Sequence, residues 1–240
     1  DSLLRRAHAE LAVVVEDGDG NGAFGAADLD LIALKDEAKT DAAQRAVLRK
    51  KQQGTAATDE AKFGADAVGP AGAELLRMLN EAGIITFSWA DRDYLNQYYR
   101  ESKPDYLAAI WNLHPEIHRT NVFHTPPASH DLINHCGPKA EALPGYPALL
   151  KSKYVRAEFE HELDRLAEEI STRDPNLVVC LGNTALWALG GRTGISKLRG
   201  TTLLSTHTIA DYKLLCTYHP SSILRQWDNR PTVIADLMKA

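Results

Sequence analysis

Three residues that could bind a ligand or take part in a reaction fall where predicted strands end. Asn121 lies at the end of one short strand, Gly182 follows the next, and His219 ends a third. An amide offers both a donor and an acceptor, and an imidazole can donate or accept a hydrogen bond. In a parallel sheet the ligand site lies beyond the carboxyl ends of the strands. The sequence therefore predicts that these residues converge on one site.

A second set of candidate ligands lies earlier in the sequence. Oxygen-bearing side chains recur at alternate positions, followed by a glycine and a final acid: Asp17, Asp19, Asn21, Gly22 and Asp28. This spacing resembles an EF-hand loop, whose oxygens bind calcium and whose glycine permits a sharp turn. The last position carries Asp where Glu usually gives bidentate ligation, and no second loop pairs with it. Two interpretations stay open, a calcium-binding loop and an exposed helix–helix turn without metal.

The elements that position the strand-end residues alternate between helices and strands. Apolar spacing predicts helices at 73–82, 154–171, 182–189 and 233–239. Short apolar runs predict strands at 84–87, 120–123, 177–181 and 214–219. Such alternation predicts a parallel sheet covered by helices on both faces. Residues 1–53 differ in composition, and we predict two helices there, at 3–16 and 29–51.

Bulk composition is that of a globular protein. The chain has 240 residues, of which 44% are hydrophobic and 25% charged. No apolar run approaches the roughly 18–20 residues of a membrane helix, and no signal peptide is visible, so we expect a soluble, cytoplasmic protein without a membrane partner. The net charge of −5 means that any DNA-binding surface is local. Three cysteines without a CxxC pair argue against a disulfide framework and a cysteine-built metal site.

Four segments of the chain carry a resemblance to a known family. In order they are VGPAG at 68–72, RTNVFHTPP at 119–127, PNLVVCLGNTA at 175–185 with LRG at 198–200, and TYHPSSILR at 217–225. The last resembles the HPSxLLR motif of bacterial, archaeal and phage-type uracil-DNA glycosylases. Each segment alone is weak, but four in the same order are specific. The sequence is therefore identified as a member of the uracil-DNA glycosylase superfamily.

The resemblance implies a fold and a reaction. The fold is a three-layer α/β/α arrangement around a central four-stranded parallel sheet. The reaction is release of a flipped-out uracil from DNA by cleavage of its N-glycosidic bond, a step of base excision repair. By resemblance, His219 would stabilise negative charge on O2 of the departing base. Asn121 would read the uracil edge with its amide, and Gly182 would line the base pocket.

The same resemblance implies a DNA-facing surface around the last motif. Ser221 and Ser222 would contact phosphates beside the flipped nucleotide. Ile223 and Leu224 would form the apolar wedge that fills the vacated stack, although core packing explains one of the two equally well. Further phosphate contacts are predicted for two arginines, for which plain solvation is an equal alternative: Arg199 and Arg225.

The first family motif, GE-x-x-G, has no clear counterpart. The candidate segment places Thr55 where the family's acid belongs, with Asp59 or Glu60 as a substitute carboxylate. An alternative alignment makes 31–34 the strand and Glu37 the acid, at the cost of a long insertion. Without the acid, three outcomes stay open: a glycosylase that uses another acid, a weak glycosylase, and a binding protein that has lost turnover.

Two further positions depart from the family pattern. Ala67 stands where an aromatic ring stacks on the base, a contact worth roughly 1–3 kcal/mol. Its small side chain opens room in the pocket, so the substrate could be a modified pyrimidine. Thr125 stands where two related families have a cysteine ligand of an iron–sulfur cluster, and we predict no cluster.

These observations lead to one assignment with one alternative. We predict an N-terminal helical segment at 1–53 and a glycosylase-like domain at 54–240. The predicted function is hydrolysis of uracil or a related pyrimidine from single- or double-stranded DNA, without a cofactor other than the calcium considered above. The alternative is a catalytically impaired DNA- or protein-binding module of a replication or repair assembly. The N-terminal helices would suit docking of a protein partner.

Overall fold

The computed structural model describes residues 11–15, 67–125 and 132–240. The described strands are β1 (Leu11–Val15), β2 (Ile117–Asn121), β3 (Cys136–Gly137), β4 (Tyr154–Val155), β5 (Leu177–Leu181), β6 (Thr202–Leu204) and β7 (Lys213–Thr217). The described α-helices are α1 (Pro70–Glu81), α2 (Trp89–Glu101), α3 (Pro104–Leu113), α4 (Glu160–Arg173), α5 (Gly182–Gly190), α6 (Ile195–Leu198), α7 (Pro220–Arg225) and α8 (Arg230–Leu237). None of these helices is long and apolar enough to span a membrane.

The main sheet has the strand order β2-β1-β5-β7-β6. β1 pairs in parallel with both β2 and β5, and β5 pairs in parallel with β7. β6 runs antiparallel to β7 at the edge. The α/β class predicted from the sequence is therefore confirmed. Within the described ranges the sheet has four parallel strands and a fifth, antiparallel strand, because the chain turns back after α6 to add β6.

The position of β1 corrects the interpretation of residues 1–53. Residues 11–15 were predicted to lie within a helix, and this prediction is wrong, since they form a strand between β2 and β5. The run Leu-Ala-Val-Val-Val is apolar throughout and rich in β-branched residues, which favour a buried strand over a helix. The sheet is thus completed by residues that we had assigned to a separate helical segment.

A second correction concerns the predicted strand at 84–87. The structure has a turn there, in which the N–H groups of Ile84 and Ile85 both donate to the carbonyl of Leu79 at the end of α1. The N–H of Phe87 donates to Oδ1 of Asn80 at 2.8 Å. These bonds satisfy the backbone locally, so the segment wraps the end of α1 instead of entering the sheet.

Helices cover both faces of the sheet. Alternate residues of β5 point to opposite sides: Val179 and Leu181 belong to the core that contains α1, α2, α3, α7 and α8. Val178 and Cys180 belong to the core built with α4 and α5. A sheet buried on both faces leaves its strand ends and the following loops as the places where polar side chains can meet a ligand.

Candidate active site

The carboxyl ends of the parallel strands bring the predicted site residues to one edge of the sheet. Val15 at the end of β1 is in register with Asn121 at the end of β2. Leu181 at the end of β5 is in register with Thr217 at the end of β7. Gly182 follows β5 directly, with a φ of 91° that favours glycine, and starts α5. Asn121, Gly182 and His219 therefore lie along one edge, as the strand pattern predicted.

The imidazole of His219 is held by the turn that starts α7. Its Nδ1 accepts a hydrogen bond from the backbone N–H of Ser221 at 3.1 Å and lies 2.6 Å from the hydroxyl of the same residue. The side chain is only 7% exposed. Burial, and to a lesser extent the charge of Arg225, lowers the pKa of His219 from 6.5 to about 3. The ring is therefore neutral at physiological pH.

The hydrogen bond at Nδ1 decides where the proton of this neutral ring lies. Because Nδ1 accepts from a backbone N–H, the proton belongs on Nε2. Nε2 is buried and has no hydrogen-bond partner among the described residues. A buried N–H donor without a partner costs free energy unless a ligand atom completes it. The site thus presents a neutral donor that is suited to an oxygen carrying negative charge.

The residues after His219 have three different environments. The hydroxyl of Ser222 donates to the carbonyl of His219 at 2.7 Å and is partly exposed. Ser221 is buried against the imidazole. The side chain of Arg225 is exposed at the end of α7. Ser222 and Arg225 are therefore more exposed than Ser221, which supports the imidazole, and the DNA contacts of all three stay a prediction.

The predicted apolar wedge is wrong for this structure. Ile223 is 0% exposed and Leu224 is 1% exposed, and both lie in the core beside α1. The short helix α7 packs against α1 and turns both side chains inward. The sequence suggested core packing as an alternative role for one of the two residues, and in the structure both are core residues.

Arg199 is also used differently from its prediction. Its guanidinium forms an ion pair with the fully buried carboxylate of Asp236 on α8, including a bond of 2.9 Å from Nε. It also donates to the carbonyl of Thr232. Asp236 in turn accepts the hydroxyl of Thr217 at 2.7 Å. Arg199 therefore ties α8 to the strand that leads to His219, and we do not include it in the DNA-facing surface.

Ala67 lies at a constrained junction of the backbone. Its φ is 57°, its side chain belongs to the core, and its carbonyl accepts the indole N–H of Trp111 at 3.0 Å. A Cβ at Gly72 would lie 1.7 Å from the same carbonyl oxygen, so that position requires glycine. From the sequence we considered only the aromatic ring that Ala67 lacks. In the structure, Trp111 on α3 and Gly72 on α1 also lie against its backbone carbonyl.

The other candidate residues lie outside the described ranges: Thr55, Glu60, Asp17, Asp19, Asn21 and Asp28. Calcium binding therefore stays a prediction. Within the described ranges no group of three or more His, Cys, Asp or Glu side chains could hold a metal ion. Cys180 and Cys216 are neighbours inside the core, and Cys136 is buried in β3. The backbone N–H of Thr125 donates to Glu162 at 2.8 Å, so a carboxylate secures this position.

A comparison with protein-family models identifies the family. The model described as the uracil DNA glycosylase superfamily matches residues 56–239. The chain belongs to the uracil-DNA glycosylase superfamily. A search of the curated proteins found no match. Members of this superfamily act on DNA, which makes DNA the expected partner of the strand-end site. The match begins after β1, so the family model does not cover the strand that the structure places between β2 and β5.

Sequence reasoning missed the α4 side chains that hold the end of β2. Arg165 donates to the carbonyl oxygens of Asn121 and Val122, and Glu169 accepts the hydroxyl of Thr120 at 2.7 Å. The sequence showed only the apolar face of α4, and its charged residues resembled an ordinary solvated face. The available signal was the position of Glu162 three residues before Arg165 and of Glu169 four residues after it. This spacing is common on exposed helices.

The acids of this network predict how stability depends on pH. Burial raises the pKa of Glu169, but hydrogen bonds from His118 and Thr120, with the charges of His118 and Arg165, outweigh it and lower the pKa from 4.5 to about 2. A carboxyl whose pKa is lower in the folded state stabilises the protein above its unfolded pKa. That contribution is lost as the pH falls through the folded value.

We therefore expect the melting temperature of the Glu169→Gln variant to fall less steeply than that of the wild type between pH 4.5 and pH 2. At neutral pH the variant should be the less stable protein. Thermal unfolding followed by circular dichroism at a series of pH values measures both effects. Glu168→Gln, an exposed neighbour on the same helix, is the matched control. Parallel wild-type and Glu169→Gln curves would contradict the prediction.

Proposed function

We propose that this protein is a DNA glycosylase that hydrolyses the N-glycosidic bond of uracil, or of a related modified pyrimidine, in DNA. The observation that carries the proposal is the neutral, buried imidazole of His219, whose Nε2–H has no partner among the described residues. Membership of the superfamily supplies the substrate class. The finer assignment of the base depends on His219 and Asn121 together.

The proposed reaction uses His219 as an electrostatic catalyst. The target nucleotide leaves the base stack and enters the site at the strand ends. As the bond between C1′ and N1 breaks, its electron pair leaves with the base and negative charge develops on O2. The Nε2–H of His219 donates a hydrogen bond to O2. This bond stabilises the transition state strongly because the site is buried and the donor is already in place. Water adds its hydroxyl to C1′, and its proton passes to the base or to solvent.

Asn121 is the proposed reader of the base edge. It lies at the end of β2, on the same sheet edge as His219, and its side chain is buried. The amide oxygen accepts N3–H of uracil and the amide nitrogen donates to O4. Cytosine presents the opposite pattern at these two atoms, so an amide held in this orientation discriminates against it.

The carboxylate that orients the water is proposed to be Glu16 or Asp17. They are the first and second residues after Val15 in the sequence, and Val15 at the end of β1 is in register with Asn121. A residue that follows a parallel strand is expected at the edge where its neighbours end. The end of β1 therefore offers an alternative position for this acid, and the roles of Thr55 and Glu60 stay predictions. Glu16 and Asp17 lie outside the described ranges.

The test is a strand-cleavage assay on oligonucleotides that carry a single uracil, single-stranded or paired with G or A, followed by alkali. We expect alkali-dependent breaks at the uracil and none in a thymine-containing duplex of the same sequence. In the same assay, Glu16→Gln or Asp17→Asn should lower the rate, while Glu60→Gln should not. Absence of cleavage at high protein concentration, with DNA binding retained, would refute the glycosylase and favour the binding module.

A further inference from the structure

We propose that Arg165 is a positioning residue that sets the orientation of Asn121 and through it the base specificity of the site. The inference rests on the proposed function, because it assigns to Asn121 the reading of the base. Arg165 lies on α4, on the other side of the loop that follows β2, and its side chain is 26% exposed. Its guanidinium contacts the end of β2 and two acids of its own helix.

The three guanidinium nitrogens of Arg165 all have partners in one small region. Nη2 donates to the carbonyl oxygens of Asn121 at 2.6 Å and Val122 at 3.1 Å. Nη1 donates to the hydroxyl of Thr120 at 3.3 Å and to Glu169 at 2.6 Å. Nε donates to Glu162 at 3.2 Å. A planar fork with fixed donor directions holds two successive carbonyl oxygens in one geometry, which an ammonium group cannot reproduce.

The two acids hold the other groups of the same segment. Glu162 accepts the backbone N–H groups of His124 at 3.1 Å and Thr125 at 2.8 Å. Glu169 accepts the hydroxyl of Thr120 and contacts Nε2 of His118 at 2.6 Å. The segment from 118 to 125 is therefore fastened to α4 at both sides of Asn121. We call Glu162, Arg165 and Glu169 the α4 clamp.

The position of the clamp explains why it bears on recognition and not only on stability. β2 ends at Asn121, and among the described residues no ladder pair follows the pair of Val15 with Asn121. The orientation of the Asn121 backbone decides where its side-chain amide points. A displacement of about 1 Å at a reacting or recognising group can cost on the order of 10²-fold in rate. Arg165 supplies the two hydrogen bonds that oppose this displacement.

The experiment compares Arg165→Lys with Arg173→Lys, an exposed arginine on the same helix. Single-turnover rates and DNA affinity are measured on uracil-containing duplex, with thermal unfolding to show that each variant is folded. We expect Arg165→Lys to lower the excision rate on the order of 10²-fold with little change in DNA affinity. Arg173→Lys should match the wild type.

A double-mutant cycle distinguishes positioning from a structural role. If Arg165 acts through Asn121, most of the loss caused by Arg165→Lys disappears in an Asn121→Ala background. If Arg165→Lys instead caused a general structural defect, its fold-loss in excision rate would be multiplied by the fold-loss caused by Asn121→Ala. Hydrogen exchange gives a second readout that needs no turnover: amides of residues 121–125 should exchange faster in Arg165→Lys than in Arg173→Lys.

The outcomes separate this inference from the proposed function. If the wild type excises uracil but the cycle is additive, or exchange at 121–125 is unchanged, the positioning role is refuted and the glycosylase stands. If the wild type binds uracil-containing DNA in preference to thymine-containing DNA without cleaving it, a loss of that preference in Arg165→Lys supports positioning although the enzyme proposal fails. If the wild type shows neither cleavage nor preference, both fail.

Discussion

The His219→Ala variant is expected to release uracil about 10²–10³-fold more slowly than the wild type, the range found when one preorganised donor is removed from an oxyanion site. The loss arises because Nε2–H is a neutral donor that is already desolvated and held at Nδ1 by Ser221. Binding of uracil-containing DNA should persist, since the imidazole acts on charge that develops only during bond cleavage. Single-turnover kinetics with a separate binding assay measure both quantities.

Two controls sharpen this expectation. His161→Ala replaces an exposed histidine on α4 and should leave the rate unchanged. The pH profile of the wild type should show no inflection near 6.5 that belongs to His219, because the pKa of this imidazole is lowered to about 3. A loss smaller than about tenfold in His219→Ala would mean that the donor contributes far less than a preorganised oxyanion donor does, and would remove the main support for the mechanism.

The second large effect is expected in stability, at the ion pairs between α1 and α8, of which the pair of Arg230 with Glu74 is buried. Nε of Arg230 donates to Glu74 at 2.6 Å, and its two terminal nitrogens bind the two carboxylate oxygens of Glu81, each at 2.6 Å. Glu74 is fully buried, and burial raises its pKa even beside Arg230 and Arg77. Removing the arginine would leave an acid in the core without its main partner.

We expect Arg230→Met to lower the free energy of unfolding by about 3–5 kcal/mol, the usual cost of stripping one partner from a buried pair. The loss should be smaller at acidic pH, because Glu74 can then be protonated and a neutral acid costs less to bury. Urea unfolding at neutral and acidic pH measures the difference.

The matched control for Arg230→Met is Lys103→Met, which breaks an exposed ion pair with Glu101 and should change stability little. Equal effects of the two substitutions would contradict the importance of burial. Arg230 is also connected to the site through α8. This helix carries Asp236, which accepts the hydroxyl of Thr217, two residues before His219. A destabilised α8 should therefore lower activity only together with stability.

Several features of the site follow from local sequence alone. Gly182 and His219 follow short apolar runs, and Asn121 lies within a short predicted strand. The alternation of these strands with amphipathic segments predicts parallel pairing. Once the strands are parallel, residues at their carboxyl ends must share one edge of the sheet. The motif around His219 resembles that of a known family, and this resemblance implied the role of the imidazole. The match to the family model confirms the family membership. The sequence by itself therefore determined the family, the α/β class and the meeting of Asn121, Gly182 and His219 at one edge of the sheet.

Other features were decided only by tertiary structure. The run Leu11–Val15 favours a strand by its composition, but its central place in the sheet depends on β2 and β5 as its two partners, which no window around residue 11 contains. Ile223 and Leu224 are buried because α7 packs on α1, and Arg199 meets Asp236 across 37 residues of sequence. Arg165 reaches the carbonyl of Asn121 across 44 residues. Apolar spacing reports local backbone preference, whereas contacts between distant residues depend on how finished elements pack, and only the folded chain shows them.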